Sequence, residues 1–354
     1  MKLAIRCALA RFALAALALV AAPSSAAPPE PAKPLFASDE VIHITIKGPV
    51  DALARGGPDS RNVVPGTIGV NGSQDVLPIQ LALRGITRRE RDVCQFPPLR
   101  VVFTAPPPAG SLFAGQHKLK LVTHCRAAEA FQNYLRLEYA TYKLYNQLTP
   151  MSFRARLVQV DYVTAAGSPI ISRIGFFLEP IDDVARRNGM REAKVGERIP
   201  VAQLSPPDAA RVGLFEYMVA NLDWAMQAGP PGDSCCHNSP LIGPQGGASA
   251  TLYPVPYDWD FSGLVDTPYA VAPDAINVAS VRQRRYRGFC RHNAEALVEM
   301  ARMRSMQPAL MANYAAVPGL DPRSASKATA FLGGFFADIA TDAGAQAKLF
   351  KTCL

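Results

Sequence analysis

Asp223 ends the segment Asn221-Leu222-Asp223, His237-Asn238 follows, and Tyr257-Asp258-Trp259-Asp260-Phe261 comes after that. An acid, an amide and a second acidic pair in this order are the side chains phosphoryl transfer uses. One carboxylate orients a hydroxyl nucleophile, and an amide oxygen with a carboxylate holds Mg²⁺ on the phosphates. Asp223 is the candidate catalytic residue, and Asn238, Asp258 and Asp260 are the candidate metal ligands. Alternating carboxylates on an extended run face the same way, and two so close call for a cation or a shared proton. Each of these residues has an ordinary use as well: an Asp in a turn after a helix, an Asn in a loop, a His that orients its neighbours.

Phosphates also need positive contacts. Lys118 and Lys120 project from one face of a strand, and Glu138 lies on the long helix that follows. A strand lysine steadied by a helix glutamate is a common way to place an amine on nucleotide phosphates. Leu83-Arg84-Gly85 offers a turn over those phosphates, although it is not a GxGxxG loop.

The elements that must position these residues can be read from periodicity. Val41 to Ile46, Leu77 to Arg84, Leu99 to Phe103, Lys118 to Val122, Phe153 to Val163 and Ile170 to Leu178 have strand character. Gly48 to Gly72, rich in Gly, Pro, Asp and Asn, reads as loops. Residues 127–148 form the clearest helix, with Tyr134, Leu137, Thr141, Leu144 and Leu148 on one stripe and Pro150 beyond its end. Helices are expected over 181–188, 207–227, 294–304, 309–314 and 327–349. The implied fold class is α+β.

These residues together resemble the spore-coat CotH-type kinases, an atypical branch of the protein-kinase-like fold. The resemblance covers roughly residues 77–290 and rests on Leu83-Arg84-Gly85, Phe176-Phe177-Leu178-Glu179, Ala220-Asn221-Leu222-Asp223, His237-Asn238 and Val255-Pro256-Tyr257-Asp258-Trp259-Asp260. It implies a two-lobed kinase-like fold: a β-rich N-lobe with one long helix over 38–178 and a mainly helical C-lobe over 179–354. By the same resemblance Asp223 is the catalytic Asp, Asn238 and Asp258 hold Mg²⁺ (or Mn²⁺) with help from Asp260, and Glu179 marks a hinge beside the adenine of ATP. Arg84, Lys120 and Glu138 complete the cofactor-binding set. The chain departs from the family in two places. The gap from Asp223 to Asn238 is longer than the usual kinase catalytic loop, and Phe96-Pro97-Pro98-Leu99-Arg100 stands where a lysine-rich strand is common.

The first 26 residues read as a secretory signal, with Lys2, Arg6 and Arg11 before an apolar run and Ser24-Ser25-Ala26 at a small-residue exit. Residues 27–37, rich in Pro and Ala, read as a flexible leader. The expected location is periplasmic or secreted, with no transmembrane span in the mature chain. Net charge is +8, and three of those positives lie in the signal. The basic residues are scattered and no nucleic-acid reading motif is present, so no nucleic-acid partner is expected. Beyond the signal, Cys94, Cys125, Cys235, Cys236, Cys290 and Cys353 form an even set, which suggests disulfides in an exported chain. Cys94–Cys125 is the favoured pair, and Cys235, Cys236 and Cys290, with Cys353, would staple the second half. The function expected is an ATP- and Mg²⁺-dependent phosphotransferase acting on a protein or other hydroxyl-bearing acceptor. A non-catalytic, pseudokinase-like envelope or assembly protein is the alternative, and a metal-dependent hydrolase ranks third.

Overall fold

A computed structural model describes residues 29–244 and 250–354. The signal stretch lies outside the described residues. Seven strands close into a barrel in the order β1-β2-β3-β4-β5-β7-β6. They are β1 (Ile42–Lys47), β2 (Val63–Val70), β3 (Val76–Leu83), β4 (Leu99–Phe103), β5 (Lys118–Val122), β6 (Ala155–Val163) and β7 (Pro169–Leu178). All neighbours are antiparallel except β1 and β6, whose parallel pairing, Ile42 opposite Val158 through Lys47 opposite Val163, closes the ring. A short helix α1 (Val50–Ala54) caps one end, and α2 (Glu129–Asn146) bridges β5 and β6 along the outside.

After the barrel come α3 (Ile181–Arg187), β8 (Arg191–Glu192), α4 (Pro206–Val219), β9 (Leu241–Gly243), β10 (Tyr253–Pro254), α5 (Asn293–Ser305), α6 (Gln307–Ala312), α7 (Pro322–Asp338) and α8 (Asp342–Leu349). Strands β8 to β10 make a second sheet in the order β10-β9-β8. Among the described residues no helix is long and apolar enough to cross a membrane.

Strand alternation explains how the two parts share a core. On β6 and β7, Val158, Val160 and Phe177 point into the barrel, while Leu157, Ile174 and Phe176 point outward. The outward set packs with Tyr139 and Tyr142 of α2 and belongs to one apolar cluster with α4, α5, α7 and α8. Both faces are therefore buried where β6 begins and β7 ends, while Gln159, Asp161 and Ser172 carry the outer face toward solvent at the other end.

This architecture overturns the expected two-lobed protein-kinase-like fold. The β-rich half is a closed barrel, not an open lobe, and the helical half is continuous with the barrel's outer layer. Strand and helix identity was readable from period, but ring closure rests on β1 meeting β6, a pairing of residues far apart in sequence. Strand β2 lies within the stretch read as loops. Its Pro65-Gly66 looks like a turn, yet a side chain at Gly66 would put Cβ 2.6 Å from the Lys47 carbonyl oxygen, so the glycine lets β1 and β2 approach. The leader also differs from expectation: Pro34–Phe36 form a 3₁₀ turn whose Leu35 and Phe36 are buried against the barrel interior. The expected helix over 327–349 is two helices, α8 starting afresh with Thr341 accepting from Gly344 N at 3.1 Å.

Candidate metal and phosphoryl-transfer site

The acidic segment is presented by a buried tryptophan. Trp259, 1% exposed, packs on Tyr142 at 4.6 Å between ring centroids and on Phe215 at 5.3 Å. Its indole N–H donates to both carboxylate oxygens of Glu216 on α4, at 3.2 and 3.1 Å. With the middle residue anchored, Asp258 and Asp260 are fixed on either side of it. Asp258 adopts a left-handed backbone (φ 70°), and its N–H donates to Tyr142 Oη at 3.0 Å. A non-glycine residue held in this region is strained, and such strain collects at functional sites. Asp260 is buried and accepts from Tyr269 Oη at 3.1 Å.

Arg88, on a 3₁₀ turn just after β3, reaches under this segment. It is 7% exposed, and its guanidinium spans three carboxylates: Asp258 Oδ1 at 2.9 Å, Asp260 Oδ2 at 3.2 Å and Glu138 Oε2 at 3.3 Å. Burial pushes the Glu138 carboxyl up to about 8 against the pull of Arg88, and Asp260 up to about 7 for the same reason. Asp258 goes the other way: burial would raise it, but Arg88, Arg84 and Lys120 together hold it below the usual carboxylate range. Asp258 keeps 29% of its side chain exposed and forms the cluster's mouth.

One guanidinium faces three carboxyls, and with all three ionised the cluster would carry more negative charge than Arg88 offsets. Glu138 Oε1 is buried with no hydrogen-bond partner, and Glu138, Asp258 and Asp260 each offer an oxygen within 4.8 Å of the others. This oxygen-only donor set, with an unsatisfied buried acceptor, fits a hard divalent cation such as Mg²⁺ or Mn²⁺.

Asp223 is delivered by the end of α4. Ala220 takes the left-handed cap position (φ 53°), and Asn221 N–H returns to the Glu216 carbonyl at 2.8 Å. Asn221 Oδ1 then accepts from Asp223 N at 3.1 Å. The Asp223 carboxylate meets His237 Nε2 at 2.7 Å and receives the Asn238 amide N–H at 3.1 Å, and the same amide reaches the Asp223 carbonyl at 2.8 Å. This leaves Asn238 Oδ1, the oxygen expected to hold metal, outside that contact. The Asp223 hydrogen bond raises the His237 imidazole above its usual value. The long insert between Asp223 and His237 folds back through His237 N–H to the Ala228 carbonyl at 3.0 Å, and Cys235 and Cys236 in it are joined to each other. Tyr257 N–H donates to the Asn238 carbonyl at 3.0 Å, so the Asp223–Asn238 pair and the Asp258 segment are neighbours.

Lys120 lies on the outer face of β5, its ammonium 4.4 Å from the centre of the Tyr257 ring. Burial and then Arg84 push it down to about 7, with Asp258 pulling the other way. Arg84, Lys120, Asp258, Asp223 and Asn238 thus border one mouth. Glu138 pairs with Arg88, not with Lys120. Glu179 is not brought into this group: Arg187 takes both its oxygens, at 3.1 and 2.9 Å, and Arg154 N–H donates to it at 2.9 Å. Sequence reasoning missed Arg88, Tyr142 and Glu216. The only visible trace of Arg88 was its place in the arginine run behind Leu83-Arg84-Gly85.

A larger cavity of about 650 Å³ lies elsewhere, between α2 and the chain before β1, lined in part by Asp39, Lys143, Arg154, Arg187 and Arg302. Its cations are already committed: Lys143 to Asp39, Arg187 to Glu179, Arg302 to Glu299 and the Leu148 carbonyl, Arg154 to the Phe36 carbonyl. The acidic mouth has the unsatisfied chemistry. The chain matches no protein-family model and no curated protein.

Proposed function

We propose that the chain is an exported ATP- and Mg²⁺-dependent phosphotransferase acting on a protein or other hydroxyl-bearing acceptor, with Mn²⁺ able to replace Mg²⁺. The observation that carries this reading is the three-carboxylate cluster with its unpaired Glu138 oxygen, opening at Asp258 onto Asp223 and Lys120. Three disulfides support the exported location.

Asp258, Asp260 and Glu138, with Asn238 Oδ1 at the rim, would hold the cation, which when bound neutralises charge on the transferred phosphate. Arg84 and Lys120 supply positive charge to the phosphates. Asp223 accepts the hydrogen bond of the incoming hydroxyl and then its proton, while His237 and the Asn238 amide fix the carboxylate's orientation. Arg88 keeps Asp258 ionised by holding its carboxyl low.

One observation favours a non-catalytic reading: Arg88 already pairs with all three carboxylates and so competes with a cation. Thermal shift with ATP and Mn²⁺, followed by phosphate transfer to a protein acceptor, separates the two. The expected outcome is stabilisation in the parent and in Asp223→Asn, its loss in Asp258→Asn, and transfer in the parent alone. Binding without transfer establishes the non-catalytic reading. No stabilisation by nucleotide and metal removes the phosphotransferase reading and leaves the non-catalytic one.

A further inference from the structure

The outer face of β3, β4 and β5 carries a row of cations set by register. Arg100 stands directly opposite Lys120, Ala82 stands opposite Arg100 on the other side, and Val102 pairs with Lys118. Because strands alternate, Arg100, Lys118 and Lys120 share one face, while Leu99, Val101, Leu119 and Leu121 fill the barrel. Arg84, two residues beyond Ala82, continues the row, its N–H bonded to the Pro98 carbonyl at 2.9 Å.

Like charges directly opposite on neighbouring strands destabilise a sheet. Arg88, Arg187 and Arg211 each sit in an ion pair. No ion pair joins Arg84, Arg100, Lys118 or Lys120 to any carboxylate among the described residues. The acids that influence this face are Asp258, at its lower edge, and Glu192 of β8.

We propose that this face binds a linear polyphosphate chain running from Asp258 across β5 and β4, with Arg100 and Lys118 as contacts beyond those of the transfer site. The proposal rests on the phosphotransferase reading for the end of the chain at Asp258. The chain's chemistry is shared by a nucleoside triphosphate and by free inorganic polyphosphate. Arg84 just past β3, Arg100 on β4, and Lys118 and Lys120 on β5 are spread over neighbouring strands, so recognition comes from charge along the chain more than from a base.

The test is calorimetric titration of the full chain with ATP, AMP and sodium tripolyphosphate, each with Mg²⁺, in the parent and in Arg100→Ala/Lys118→Ala. Both substitutions lie on the exposed face of the sheet, and unchanged circular dichroism and melting temperature establish that the variant folds. ATP and tripolyphosphate should bind, AMP should bind at least about tenfold more weakly, and the double variant should lose about tenfold for the first two. The loss should shrink as salt rises, because the contacts are exposed. Tripolyphosphate binding without ATP binding keeps the polyphosphate face and removes ATP as the donor. ATP binding equal in the double variant and the parent overturns this proposal and leaves the phosphotransferase reading standing. AMP binding as tight as ATP, or no binding of either polyphosphate, also overturns it.

Discussion

Arg88 stabilises a cluster that would otherwise repel itself. Removing a buried partner and leaving its carboxylates behind costs about 3–5 kcal/mol, so Arg88→Leu should be strongly destabilised near neutral pH. Glu138 and Asp260 have raised folded values, about 8 and about 7. The folded chain therefore keeps protons that the unfolded chain has already released. That contribution is complete below the ordinary carboxylate range and is lost as pH rises through those two values. Without Arg88 the carboxyls hold their protons more tightly still, so the penalty should shrink in acid. Melting curves at about pH 5 and about pH 8 check this, and an equal gap at both would count against the cluster as described. At this scale the sequence was partly legible. Asp223, Asn238 and Asp258 stood out by residue type and order, and they do lie close together in the fold. Arg88 did not, because its partners Glu138 and Asp258 lie 50 and 170 residues away and an arginine in a basic run reads as solvated.

At the scale of elements, one clamp governs where Arg88 sits. Cys94, just beyond the Arg88 turn, is bonded to Cys125 after β5 across a separation of 31 residues. Thr123 Oγ1 also donates to the Phe96 carbonyl at 2.7 Å, so the two segments are fixed side by side. Closing a loop of this size contributes about 4 kcal/mol through the unfolded state. Cys94→Ser/Cys125→Ser should lose about that much in denaturant unfolding and should weaken Mn²⁺ binding as the Arg88 turn loosens. A loss of stability with unchanged Mn²⁺ affinity would mean the clamp does not serve the site. The pairing was legible because both cysteines flank strand-like runs. Helix ends were less so: α4 stops at Val219, well short of residue 227, because Ala220 turns left-handed to aim Asn221 and Asp223 at the site. Nothing in the apolar run Leu214 to Ala220 announces that stop.

For the molecule as a whole, period found β1, β3 to β7 and most helices, but it missed α1, β2 and β8 to β10 and did not give ring closure. Alternation is plain on β6 through Val158, Gln159, Val160, Asp161 and Tyr162, but an open lobe and a barrel wall show the same inward face, so nothing local distinguishes them. The acidic mouth lies where the barrel's outer face, the Arg88 turn and the end of α4 meet, a junction no single segment encodes. Cys290–Cys353 ties the end of the chain back to the turn before α5, whereas Cys235 and Cys236, expected to help staple this half, pair only with each other.

The parallel seam between β1 and β6 also has a kinetic consequence. Every other barrel pair forms between strands adjacent or nearly adjacent along the chain, whereas the seam must wait until the ends of a long intervening stretch find each other, and loop-closure entropy makes such contacts slow. The β6–β7 hairpin, joined by a short turn at Ala165-Ala166-Gly167, can assemble early and offer its free edge as a template. Pulsed hydrogen exchange during refolding should therefore protect amides of Leu157 to Val160 before those of Ile44 to Ile46. Simultaneous protection, or β1 first, would mean that the ring zips shut from its N-terminal strand instead.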